Sequence, residues 1–292
     1  MKGFLKFVFV FSSILLASAV LAPLLYQILP YKFERIFNRL VMIFSLSALW
    51  FLLLGKKFNA REFGLDWCRE ASVRHIILGF GTGVVILSLF SLLKVAVGQA
   101  DWIAPAGFAL LSKVLTALGA SFLIGVIEEF FFRGFVYRTL RKWRWSLMLS
   151  IVFTSVFYSM IHFVSFDKPF VDSTPTVIDG LRLVAAPFLS LMQFSRYWPE
   201  AVGLFLFGLV LNCVAVRSGS LYPSIGLHAG CVLYVKTDVL FLQFHEKERL
   251  LYASGKFYDG ALGWFFIVVI GLVLTYLLGK TQPKDKNEVT YG

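Results

Sequence analysis

Charged residues are scarce in this sequence. Asp, Glu, Lys and Arg make up 15% of its 292 residues, whereas hydrophobic residues make up 58%. Soluble domains carry about one quarter charged residues and lack repeated apolar runs of about 18 or more. The composition therefore excludes an ordinary soluble protein and predicts an all-α, polytopic membrane helical bundle.

Several familiar signatures are also missing. The three cysteines, Cys68, Cys213 and Cys231, have no CxxC spacing, so neither a disulfide framework nor a thiolate metal site is indicated. No Gly-x-Ser-x-Gly or HExxH motif occurs, so the usual signals of serine hydrolases and zincins are absent. An internal repeat of the kind that marks transporter halves is absent as well. Any chemistry must come from another arrangement of residues.

The net charge of +11 has a simple explanation in a membrane protein. The basic residues cluster in short loops between apolar runs, which favours membrane orientation over nucleic-acid binding. With a cytoplasmic N-terminus, the clusters 56–74 and 138–144 and the Lys-rich tail lie on one side, although 32–39 carries three basic residues on the other. We therefore expect an integral protein of the bacterial plasma (inner) membrane, with the lipid bilayer as a partner, both termini cytoplasmic and no nucleic acid bound.

About eight apolar segments are long enough to cross the bilayer. The first is too long for the apolar region of a signal peptide, so it is expected to stay as a spanning helix. The segments are approximately 6–28, 37–54, 75–97, 108–138, 145–163, 201–216, 221–244 and 262–278. They predict one membrane domain, 1–292, with a polar cytoplasmic tail at 280–292. The middle of the stretch 165–199 could re-enter the membrane or lie along it.

The stretch 125–133 places two adjacent carboxylates inside an apolar helix. One charge at the bilayer centre costs roughly 2.5 to 3.5 kcal/mol, so such residues usually mark a working site. Glu129 and Arg133 are four residues apart and can form an ion pair on one helix face. Glu128 points about 100° away and could act as a base in a different environment. A structural ion pair that joins helices is the alternative.

Histidines on two other segments could complete a site. Ser155, Tyr158, Ser159 and His162 recur at helical spacing and predict one polar stripe. His228 is the second histidine at depth in an apolar segment. Two carboxylates and two histidines indicate either a water-activating site or a divalent metal site. A Zn²⁺ ion, if present, would be bound by Glu128, His162 and His228.

These residues also resemble a known family. The sequence Glu128-Glu129-Phe-Phe-Phe-Arg133 is similar to the EExxxR motif of the CPBP intramembrane proteases. That family includes the type II CAAX prenyl endopeptidases and the abortive-infection (Abi) and bacteriocin-immunity proteins. Tyr158 to His162 resembles its second motif, with tyrosine in place of phenylalanine, and the stretch from Gly203 to Ala229 resembles the last. The similarity covers about 119–233, which we interpret as a CPBP-like catalytic core.

The resemblance implies roles for these residues. Glu128 and His162 would activate a water that attacks a peptide carbonyl, while Glu129 and Arg133 hold the site and His228 stabilises the oxyanion. In the family, Asn or Asp usually stands four residues after the last histidine, but this chain has Val232. One lost oxyanion donor typically lowers the rate by roughly 10² to 10³. Asn212 on the preceding segment is a candidate to supply the amide.

Three functions follow from this pattern. The first is an intramembrane endopeptidase, a peptide hydrolase that cleaves a membrane protein or peptide near the cytoplasmic side. The second is a catalytically weakened membrane scaffold or immunity-type protein of the same family, which Val232 favours. The third, a small-ion or proton transporter that uses the buried carboxylates, lacks the expected repeats and broken helices.

Overall fold

The computed structural model describes residues 2–53, 60–66, 68–104, 109–163, 174–192, 194–245 and 256–281. Within these ranges the chain is almost entirely helical. The helices are α1 (Lys2–Tyr26), α2 (Phe33–Leu53), α3 (Arg69–Ala96), α4 (Ala109–Glu129), α5 (Arg138–Lys142), α6 (Leu147–Phe163), α7 (Val177–Met192), α8 (Phe194–Ser218), α9 (Tyr222–Phe241) and α10 (Ala261–Thr281). Two short antiparallel strands, β1 (Ala100–Trp102) and β2 (Leu242–Phe244), pair with each other.

Five of the described helices are long and apolar enough to cross a membrane: Val8–Tyr26, Glu70–Ala96, Leu110–Lys142, Trp198–Ser218 and Ala261–Gly279. Leu147–His162 is apolar but shorter. The predicted all-α, polytopic fold is confirmed, and each of the eight predicted segments contains a helix. The seventh ends earlier than expected, because Leu242 leaves the helix and its segment pairs with β1.

The chain forms two compact units. The first comprises Met1–Asn59 and Met160–Trp198. In it the apolar faces of α1, α2 and α7 enclose a core that includes Phe33, Phe37 and Leu183. Helix α7 begins where the amide and hydroxyl of Thr176 donate to Asp179 Oδ2 at 2.8 and 2.9 Å. These hydrogen bonds, the backbone one first, hold the pKa of Asp179 below its usual value.

The second unit, Ala60–Ser159 and Pro199–Gly292, contains most of the predicted site. Its central element is α9, which is buried without interruption from Tyr222 to Cys231. A Cβ atom at Gly83 of α3 would lie 3.3 Å from Cys231 N, and one at Gly125 of α4 would lie 3.1 Å from Ile225 O. Both neighbouring helices therefore meet the α9 backbone directly.

Three glycines within one apolar segment, Gly79, Gly81 and Gly83 of α3, predict close helix packing at all three, yet they are not equivalent. A Cβ atom on Gly79 would overlap Pro223 O and lie 2.7 Å from Leu227 N, whereas one on Gly81 would meet nothing within 4 Å. Gly79 and Gly83 thus confirm the prediction. For Gly81 it is wrong, because a glycine two positions from Gly79 points to another side of the helix.

We expect Gly79→Ala to destabilise the protein and Gly81→Ala not to. Overpacking typically costs about 1 to 3 kcal/mol, while alanine is about 1 kcal/mol better than glycine inside a helix. Thermal unfolding of the two purified variants in one detergent provides a matched comparison. Equal melting temperatures would contradict the close contact between α3 and α9.

Helix α4 does not continue as a regular α-helix. Immediately after Glu129 the chain forms a π-helical segment, Phe130–Tyr137, before α5 begins. This segment packs on the turn Ala60–Phe63, where the Phe63 and Phe130 rings lie 5.6 Å apart. The apolar residues of this linker, Phe58, Phe63, Leu65 and Trp67, suggest a segment on the membrane surface; at Phe63 the structure has a packed turn, while Phe58 and Trp67 lie outside the described residues. π-Helical turns inside helices are frequent at functional sites, and this one contains Arg133.

Candidate active site

Glu129 and Arg133 form the predicted ion pair. Arg133 Nη1 donates to Glu129 Oε1 at 2.9 Å, and both side chains are fully buried. Arg133 Nη2 donates to the carbonyl oxygen of Gly208 in α8 at 3.1 Å. The guanidinium carbon lies 4.9 Å from the centre of the Tyr158 ring. The arginine is therefore held by charge, by a backbone carbonyl and by an aromatic face.

His228 lies between the two glutamates. Its Nδ1 is 2.8 Å from Glu129 Oε1, and its Nε2 is 3.7 Å from Glu128 Oε2. An ionised carboxylate only accepts hydrogen bonds, so Nδ1 carries the proton that it donates to Glu129. The two adjacent carboxylates thus approach opposite nitrogens of one imidazole ring.

Glu128 differs from its neighbours in exposure. Its side chain is 28% exposed, whereas those of Glu129 and Arg133 are 0% exposed and that of His228 is 2% exposed. Part of the Glu128 side chain is therefore exposed, although its Oε2, the oxygen nearest His228, is buried. Chemically, the arrangement offers a carboxylate on a partly exposed side chain, beside an imidazole whose orientation a second carboxylate fixes.

The polar stripe on α6 packs against α8. Ser159 Oγ donates to Ala201 O at 3.0 Å, while Ser155 Oγ accepts from Asn212 Nδ2 at 3.0 Å. Tyr158 is buried, and its ring lies 6.1 Å from that of His228. For these three residues the predicted stripe and its need for a partner helix are confirmed.

The hydrogen bonds of the Asn212 amide nitrogen go to neither Glu128 nor His228. Its Nδ2 donates to Gly208 O at 2.9 Å and to Ser155 Oγ at 3.0 Å, and the residue is fully buried. Sequence reasoning missed the carbonyl of Gly208, which accepts from both Arg133 and Asn212. A glycine within an apolar helix is a signal for close approach. Here a Cβ atom would lie 3.1 Å from Ser155 Cα.

His162 lies in the last turn of α6 and is half-buried. This turn belongs to the first compact unit, whereas the glutamates, Arg133 and His228 belong to the second. Its role beside Glu128 stays a prediction. Among the residues that the structure describes, no group of three His, Cys, Asp or Glu side chains could hold a metal ion. The Zn²⁺ site at Glu128, His162 and His228 likewise stays a prediction.

Comparison with known proteins bears on the family. Residues 110–234 match the family described as type II CAAX prenyl endopeptidase Rce1-like. No curated protein and no solved structure matches the chain. The match begins in α4, ends in α9 and includes the two glutamates, Arg133, both histidines and Asn212. It confirms the resemblance seen in the sequence: residues 110–234 of this integral membrane protein are similar to the Rce1-like type II CAAX prenyl endopeptidases, a family of proteases.

Proposed function

We propose that the chain is an intramembrane endopeptidase that hydrolyses a peptide bond of a membrane-associated protein or peptide near the cytoplasmic side. The observation that carries this proposal is the position of Glu128, a partly exposed side chain whose buried Oε2 lies 3.7 Å from the Nε2 of an imidazole that Glu129 holds through Nδ1. The family match supplies the reaction class.

Glu128 acts as the general base. It takes a proton from a water molecule as the oxygen attacks the substrate carbonyl carbon, and it later returns that proton to the leaving amine. His162 is proposed as the second group that orients this water. Glu128 is suited to this role because its side chain is partly exposed, whereas that of Glu129 is fully buried and bonded to Arg133.

His228 stabilises the negative charge that develops on the carbonyl oxygen. Because Nδ1 donates to Glu129, an N–H on Nε2 requires the protonated ring. With His228 protonated, the net formal charge of Glu128, Glu129, Arg133 and His228 is zero. The ion pair of Glu129 and Arg133 supports the ring and takes no part in proton transfer.

The cytoplasmic placement rests on the basic residues that follow the site. Arg138, Arg141, Lys142 and Arg144 come shortly after the π-helical segment, and such clusters favour the cytoplasmic side. A bacterial plasma membrane location belongs to the same proposal. A bound divalent ion at Glu128, His162 and His228 is tested by metal analysis of purified protein, with activity measured before and after chelation.

The deciding experiment compares membrane proteomes of cells that carry the wild type, Glu128→Gln or Glu70→Gln. Glu70 is exposed near the start of α3 and controls for the same chemical change. We expect at least one membrane protein to remain uncut with Glu128→Gln and to be cut with Glu70→Gln. Identical peptide termini in all three samples would rule out the proposed endopeptidase.

A catalytically weakened scaffold or immunity-type protein is the second candidate. Val232 favours it, because this apolar residue stands where the family usually has Asn or Asp. A scaffold predicts that Glu128→Gln changes no peptide terminus and retains full cellular function, while deletion of the protein removes that function. The same set of samples therefore separates the two candidates.

A further inference from the structure

We propose that Asn212 is a positioning residue that acts on the site through the carbonyl group of Gly208. This inference rests on the proposed function for its kinetic consequence. The sequence makes Asn212 a candidate oxyanion donor, and the geometry assigns it a different task. Its amide nitrogen bonds to two groups next to the Arg133 side chain, the Gly208 carbonyl and the face of α6 that carries Tyr158.

The first group is the Gly208 carbonyl. Asn212 Nδ2 and Arg133 Nη2 both donate to this oxygen, at 2.9 and 3.1 Å. A carbonyl oxygen only accepts, so the Asn212 atom beside it must be the amide nitrogen. This carbonyl belongs to the backbone of α8, and two side chains, one from α8 itself and one from the π-helical segment, also donate to it. Removing the amide would leave Arg133 as its only side-chain donor among those in the described residues.

The second group is the face of α6 that carries Tyr158. The second hydrogen of the Asn212 amide goes to Ser155 Oγ, whose own hydroxyl donates to Ile151 O at 2.8 Å. Ser155 comes three residues before Tyr158, whose ring faces the Arg133 guanidinium. A single amide thus joins α8 to the α6 turn that supports the arginine.

These bonds also account for an asparagine inside an apolar helix. From 201 to 216 the helix is otherwise apolar apart from Cys213, and an amide nitrogen without acceptors there would be costly; the amide oxygen, Oδ1, is buried without a hydrogen-bond partner among the described residues. Both amide hydrogens are already donated, so neither is directed to a substrate. Asn212 therefore affects the reacting atoms only indirectly, through contacts that run from Arg133 to Glu129 and from Glu129 to His228.

The test is a double-mutant cycle between Asn212→Leu and Arg133→Lys. Leucine is similar in size to asparagine but lacks the amide. Lysine keeps the positive charge of arginine, but it lacks the planar guanidinium that donates to Glu129 and to Gly208 O at the same time. Misplacement of site groups can lower a rate by up to about 10²-fold. We expect Asn212→Leu to lower kcat by roughly 10- to 100-fold with KM nearly unchanged. In the Arg133→Lys background the same change should lower kcat less than about twofold.

Equal losses of kcat in both backgrounds would identify an independent role, such as oxyanion binding, and would overturn the proposal. An unchanged kcat for Asn212→Leu would overturn it as well. Cys213→Ala, at an exposed neighbouring position of α8, is the matched control and should leave both rates unchanged.

Thermal unfolding of the same variants gives a readout that needs no substrate. We expect the melting-temperature losses of Asn212→Leu and Arg133→Lys to be less than additive, and those of Cys213→Ala and Arg133→Lys to be additive. If the wild type cleaves no peptide but the unfolding cycle is coupled, the proposed function fails and the positioning role stands. Additive melting temperatures would overturn the positioning role itself.

Discussion

Under the proposed function, we expect Glu128→Gln to lower the rate of peptide-bond hydrolysis by roughly 10²- to 10⁴-fold, which is the usual contribution of a general base. Glutamine keeps the size of the side chain and its ability to form hydrogen bonds, but it cannot accept a proton from water at neutral pH. The measurement is turnover of a purified substrate, identified from the proteome comparison, by the wild type and the variant in one detergent.

The melting temperature should remain close to that of the wild type. The Glu128 side chain is 28% exposed and its oxygen lies 3.7 Å from His228, so it is outside the buried ion pair. Glu70→Gln should have no effect on either quantity. A Glu128→Gln enzyme with wild-type turnover would exclude this carboxylate as the base, whatever the function of the protein.

Arg133→Met has the largest expected effect on stability. Methionine fills much of the same space but leaves Glu129 as a buried carboxylate without its cation. Breaking a buried pair by removal of one partner typically costs about 3 to 5 kcal/mol. The guanidinium also loses its bond to Gly208 O and its place over Tyr158. We expect a large fall in the melting temperature and loss of turnover.

The double variant Arg133→Met with Glu129→Gln separates charge from packing. With both charges removed, no uncompensated ion remains, so part of the melting temperature should return while turnover does not. A double variant as unstable as Arg133→Met alone would show that the guanidinium acts through its contacts rather than through its charge.

The sequence was sufficient for those features that depend on periodicity and polarity. Apolar runs predict the helices because a bilayer demands about 20 residues per span. The four-residue spacing predicts the bond between Glu129 and Arg133, which survives although the chain there is π-helical. The stripe on α6 predicts a polar partner, and α8 provides it.

Other features depend on which backbone atoms meet, and no local pattern contains that information. The meeting of both glutamates with opposite nitrogens of His228 requires the packing of α4 on α9. The hydrogen bond from Arg133 to Gly208 O could not be predicted, because every residue has a carbonyl oxygen and the sequence does not show which one lies near the guanidinium. The hydrophobic pattern does not distinguish the π-helical segment from α4, because the segment continues the same apolar run.

The glycine contacts of α9 restrict the route by which a substrate can arrive. Helices α3 and α4 meet α9 with backbone atoms at Gly79, Gly83 and Gly125, so neither seam has room for a third polypeptide. A peptide cannot pass between these helices unless they separate along several turns. Under the proposed function, a substrate segment would instead approach along the partly exposed side of Glu128, away from these two seams.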